Sequence, residues 1–215
     1  MTTPTSFLLI VILIVVVQLC ITYYVMNRPH NPDINIVLIF ILSIITMIIL
    51  STFQEKIPPP IQFLLFSGFS YLFGLLFYQV KKLKHYSPEL INEVIVSTIS
   101  VFVSMAILGS VLLSFGIKLG FKTWLILFVG LLSIIISRIV LIVTNVHPVS
   151  TEKLTMQHQI LSIVGIFLFS GYVVYDTNTI LQGTYYNKNE HIRAALSYYL
   201  DFINIFSNNL SITDT

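Results

Sequence analysis

The stretch LFSGYVVYDTNTIL, residues 168–181, places a single acid, Asp176, in a run that otherwise reads as the interior of a membrane-crossing helix. An ionised side chain near the bilayer centre costs at least about 2.5–3.5 kcal/mol, so an acid there needs a partner or a purpose. The rest of the chain fixes the setting. Of its 215 residues, 56% are hydrophobic and only 9% charged, where a globular domain carries about 25%. Apolar runs of roughly 20 residues, enough to cross a hydrocarbon core of about 30 Å, recur along the whole length and leave no soluble domain over.

The runs predict an all-α polytopic membrane protein, a seven-transmembrane-helix bundle forming one transmembrane domain over 1–215. Spans are expected at about 6–26, 34–53, 60–80, 89–113, 121–143, 157–182 and 194–212. Proline, glycine and charge punctuate the breaks between them, and short connections make successive helices antiparallel. A β-barrel needs alternating strands of about ten residues, which continuous apolar runs exclude. The first run, from Phe7, lacks a basic n-region and a small-residue cleavage site, and reads as a retained span or signal anchor. Lysine and arginine divide evenly between the two sets of alternating loops, so they assign no orientation. A net charge of +2 gives no reason to expect nucleic acid as a partner. A single cysteine, Cys20, excludes an intrachain disulfide and a thiolate metal cluster. His30, His85, His147, His158 and His191 show no zinc-like spacing, although His191 stands close enough to the mouth of the last hairpin to tune its response to pH.

Four charged residues fall inside expected spans: Glu93, Arg138, Asp176 and Asp201. Asp176 lies near the end of the sixth span and Asp201 near the start of the seventh. At 1.5 Å per residue both therefore sit roughly 10 Å below the same surface. Helical phase lets them meet. Ser197, Asp201, Asn204, Asn208 and Ser211 recur at spacings of four and three, a polar stripe that cannot face lipid. The same spacing on the sixth span links His158, Ser162, Gly165, Phe169, Tyr172, Asp176, Thr179 and Gly183. Two carboxylates in a poorly solvated site cannot both ionise cheaply, so one shared proton would hold them together near neutral pH. Losing it would drive the helices apart or open a transient oxygen site for calcium at Asp176 and Asp201. The blander alternative is a protonated aspartate acting only as packing glue between helices. Tyr172, Thr179, Ser197, Asn204 and Asn208 are candidate pore-lining residues. Glu93 and Arg138 share a depth near the opposite face and are expected to form a structural ion pair; lining the far mouth of the pathway, or snorkelling of Arg138, are the alternatives.

The hairpin LFSGYVVYDTNTIL and AALSYYLDFINIF (194–206) resembles the signature of the transmembrane Bax-inhibitor motif family, the group that includes the Golgi anti-apoptotic proteins and bacterial calcium-leak homologues. VVQLCIT (16–22) and PPPIQFLLFSGFSYLFG (58–74) are weaker echoes of it. The resemblance implies seven helices and a pH-sensitive calcium leak of an intracellular or bacterial membrane that lowers stored calcium and suppresses apoptosis. Its di-aspartyl sensor falls on Asp176 in YDTN and Asp201 in YLDF. Some relatives hold the sensor closed with an arginine in the second helix, where this chain has no basic residue. The location implied is the endoplasmic reticulum or Golgi membrane if the source is eukaryotic or viral. The partners implied are calcium ions, the lipid bilayer and other membrane proteins of cell-death pathways, with no cofactor. A non-conducting regulator of cell death is the alternative. An intramembrane aspartyl protease fits poorly, because the residues before Asp201 lack the glycine-containing loop of such enzymes, so no enzymatic activity is expected.

Overall fold

The computed structural model describes residues 3–28, 35–53, 56–144, 151–183 and 190–213. Among them run seven helices and no strand: α1 (Pro4–Met26), α2 (Ile36–Thr52), α3 (Pro59–Lys84), α4 (Pro88–Ser114), α5 (Phe121–Thr144), α6 (Thr151–Gln182) and α7 (His191–Thr213). Each expected span coincides with one helix. The helices outrun the apolar runs where polar residues continue the turn, as at Lys81, Lys82 and Lys84 in the last turn of α3, where cations favour the negative end of the helix dipole. His30, His147 and Lys188 lie outside the described residues.

Local chemistry sets the ends. Thr3 caps α1 by accepting from the Ser6 amide, and Asn35 caps α2 by accepting from Val37 and Leu38. Proline opens α3 and α4, where the missing N–H costs nothing. α4 closes in a Schellman turn: Gly116 at φ 80° donates to Leu113 and Ile117 donates to Leu112. An L side chain is disfavoured at that φ, which is why glycine stands there.

Five helices, α1 and α3 to α6, are long and apolar enough to cross a membrane. α2, at 17 residues, is shorter. α7 is not among the five although it has 23 residues, because its aspartate, asparagines and serines dilute the apolar content. Large apolar side chains such as Leu64, Ile126 and Phe167 point outward, a surface that hydrocarbon rather than water satisfies.

The helices fall into two compact units. The first comprises Met1–Pro88 with Tyr186–Tyr199. Here α3 packs on α1 and α2, around Val25, Ile39 and Leu75. α1 and α3 approach so closely that a Cβ on Gly74 would stand 2.6 Å from that of Val25. Tyr199, fully buried, is surrounded by the rings of Phe66, Phe69 and Phe73, and its hydroxyl meets Thr22 Oγ1 at 2.7 Å. The second unit comprises Glu89–Tyr185 with Leu200–Thr215. Phe169, Val173 and Ile205 form its core, and α5 packs along α6. α4 and α6 touch backbone to backbone at Gly109, where a Cβ would lie 2.6 Å from the Val174 carbonyl oxygen.

Candidate functional site

The two aspartates lie in the second unit, Asp176 on α6 and Asp201 on α7. Both are buried, at 4% and 5% exposure, which is rare for carboxylates and puts them in a medium where charges interact strongly. Each lies within Coulombic reach of the other, and the Tyr172 hydroxyl, one turn before Asp176, feels both. Of the residues that helical phase selected, the structure thus brings Asp176, Asp201 and Tyr172 together. Asp201 Oδ2 is buried without a hydrogen-bond partner among the described residues. Two like charges so placed repel, and one proton held between them is the simplest device that removes the repulsion.

The stripe on α7 continues away from Asp201 through half-buried Asn204 and buried Asn208. Each asparagine turns its amide back onto its own helix: Asn204 Nδ2 donates to Leu200 at 2.8 Å and Asn208 Nδ2 to Asn204 at 2.7 Å. Thr179, 1% exposed, donates to the Asp176 carbonyl on its own helix. Ser197 is half-buried and belongs to the first unit. Ser211, at the far end of the stripe, is exposed. Among the described residues no cluster of three or more histidine, cysteine, aspartate or glutamate side chains forms, so the aspartates stand as a pair.

The expected Glu93–Arg138 ion pair does not form. Glu93 is exposed on α4, and Arg138 on α5 donates from Nη2 to Asn208 Oδ1 at 2.6 Å. A matching depth had suggested the pair, but depth says nothing of azimuth, and α5 turns Arg138 toward the stripe on α7. Room for this contact comes from α6: a Cβ on Gly165 would stand 2.6 Å from Asn208 Oδ1. Close approach to Asn208 is therefore what this glycine allows.

Asn178 was not singled out by sequence reasoning, yet it organises the end of α6 that carries Asp176. Its side chain is fully buried. Nδ2 donates to the carbonyls of Gly109 and Ile117 at 3.1 and 3.0 Å, while Oδ1 accepts from the Leu119 amide at 2.9 Å and from Gln182 Nε2 at 2.6 Å. Gln182 also donates to the Leu119 carbonyl. This network ties α6 to the end of α4 and to the turn that follows it. Its sequence signal was an amide pair at i and i+4 beside a polar loop, overshadowed by the neighbouring aspartate. His191, at the start of α7, stacks on Phe7 with ring centroids 4.3 Å apart in the first unit.

Five helices of membrane-crossing length among the described residues define a polytopic integral membrane protein. The model of a family described as inhibitor of apoptosis-promoting Bax1 matches residues 4–214, and the chain belongs to that family. Among curated proteins, it is similar to an uncharacterized membrane protein of Vibrio cholerae, with 33% identity over 86 residues, 40% of this chain and 34% of that protein. It is also similar to an uncharacterized protein of Deinococcus radiodurans, with 30% identity over 164 residues, 74% of this chain and 65% of that protein. The chain thus spans less than two thirds of the length of either relative.

Proposed function

We propose that the chain is a pH-sensitive calcium leak of an intracellular membrane, in the endoplasmic reticulum or Golgi, that lowers stored calcium and so suppresses apoptosis. Asp176 and Asp201 act as sensor and gate. Tyr172, Thr179, Asn204 and Asn208 line the route, and calcium is the transported ion, held briefly by the two carboxylates.

The observation that carries this reading is the burial of two carboxylates within electrostatic reach of each other, one of them on the polar stripe of α7. With one proton between them the pair holds α6 and α7 together. As pH rises and the proton leaves, two buried negative charges repel and also present hard oxygen ligands suited to calcium. Flux therefore rises with pH.

The test is calcium flux into liposomes containing the purified protein, compared across pH from about 5 to 8. Asp176→Asn and Asp201→Asn, which remove the repulsion, should each give a low flux that no longer responds to pH. Absence of flux at every pH from demonstrably folded wild type would sink the leak and favour a non-conducting regulator of cell-death membrane proteins.

A further inference from the structure

Arg138 on α5 is a fixed positive charge that meets, at Asn208, the polar stripe of α7 carrying Asp201, and nothing in the di-aspartate gate uses it. It is half-buried, and its guanidinium is held on Asn208 Oδ1. Asn208 is itself 3% exposed, pinned by its bond to the Asn204 carbonyl and packed against Gly165. The arginine is thus anchored rather than free to swing into lipid headgroups. Asn208 lies seven residues beyond Asp201 on α7, two helical turns or roughly 10 Å along the axis. The carboxylates and the guanidinium thus stand two turns apart along the stripe. An arginine stays protonated at any working pH, so this charge is permanent.

We propose that Arg138 is the valence filter of the route: a fixed cation beside Asn208 that opposes passing cations in proportion to their charge. The inference rests on the leak reading above. A potential from one fixed charge raises the barrier for a divalent ion by twice the amount for a monovalent ion. Because rate depends exponentially on barrier height, the divalent gain on removing the charge is the square of the monovalent gain. A merely structural arginine has no such signature, since loosening a helix contact admits both ions alike.

The experiment compares calcium and sodium fluxes in liposomes for wild type, Arg138→Gln, Arg138→Lys and Asn208→Asp. Arg138→Gln, which keeps a donor for Asn208, should raise sodium flux by about threefold and calcium flux by about tenfold. Arg138→Lys keeps the charge and should hold the calcium-to-sodium ratio near that of wild type. Asn208→Asp leaves the arginine in place but pairs it with a carboxylate, and should move the ratio as Arg138→Gln does, so the test survives misfolding of either variant. Equal gains for the two ions, or an unchanged ratio in both charge-neutralising variants while wild type conducts, overturns the filter and leaves the leak standing. Absence of flux from wild type overturns both.

Discussion

Replacing Asn178 with alanine tests whether the end of α6 that carries Asp176 is fastened by its amide network. The side chain makes four hydrogen bonds. Two partners lose little, because the Gly109 carbonyl keeps its place in the α4 ladder and Gln182 keeps the Leu119 carbonyl at 3.0 Å. The other two, the Ile117 carbonyl and the Leu119 amide, sit in the turn after α4 and lose the partner that Asn178 gave them. An orphaned buried backbone group costs about 1–3 kcal/mol, and partial exposure of this turn favours the lower half, so Asn178→Ala should cost about 2–4 kcal/mol. If polar contacts between membrane helices carry only their average of about 0.6 kcal/mol each, the loss stays near 1 kcal/mol. Unfolding in mixed micelles by a denaturing detergent, with hydrogen exchange of the 115–120 amides, separates the two. Asn178→Asp adds a pH axis. Its carboxylate still accepts from Leu119 and Gln182 but sets an oxygen against two carbonyl oxygens, so destabilisation should deepen from pH 5 to pH 8 as the acid ionises. Stability within about 0.5 kcal/mol of wild type for Asn178→Ala, with unchanged exchange in the turn, would refute the fastening argument.

Gly165→Ala should destabilise by about 1–3 kcal/mol in the same unfolding assay, since its Cβ would meet Asn208 Oδ1 at 2.6 Å in a packed contact. A double-mutant cycle on Arg138 and Asn208 should give a coupling of about 1 kcal/mol or more, and one on Arg138 and Glu93 a coupling within about 0.5 kcal/mol of zero. Tyr199→Phe should cost about 1 kcal/mol, because Thr22 keeps the Gln18 and Ser70 carbonyls as acceptors; a loss above about 3 kcal/mol would mean that the hydroxyl does more than bond Thr22.

How far the sequence revealed this protein depended on which physical signal each feature left. The helices were legible because lipid demands unbroken apolar runs; their polar extensions, such as Lys81–Lys84 on α3, were not, because hydropathy falls before the hydrogen-bond ladder ends. Asp176 and Asp201 were legible because charge in a span is conspicuous and periodicity supplies azimuth along one helix. Periodicity says nothing of the angle between helices, so Arg138 was matched by depth to Glu93 when its acceptor was Asn208 on the stripe already drawn. Asn178 left a fainter trace, as an uncharged amide costs too little in hydropathy to stand out, although its side chain makes four hydrogen bonds.

The most instructive case is α7, which fails as a membrane span on composition alone and yet carries buried Asp201. Asp201, Phe202 and Ile203 are successive buried residues, and at 100° per residue three in a row cover most of the helix circumference. A helix buried on most sides meets little lipid, so it is released from the rule that a span must be apolar. That freedom lets it hold Asp201, Asn204 and Asn208 on one face while its neighbours supply the apolar exterior. In this fold the helix least like a membrane span is therefore where polar chemistry can be housed. Introducing leucine at Asn204 should accordingly make α7 more membrane-like by composition while interrupting the polar route, so that calcium flux falls although the protein folds. Undiminished flux in that variant would show that ions do not follow the stripe.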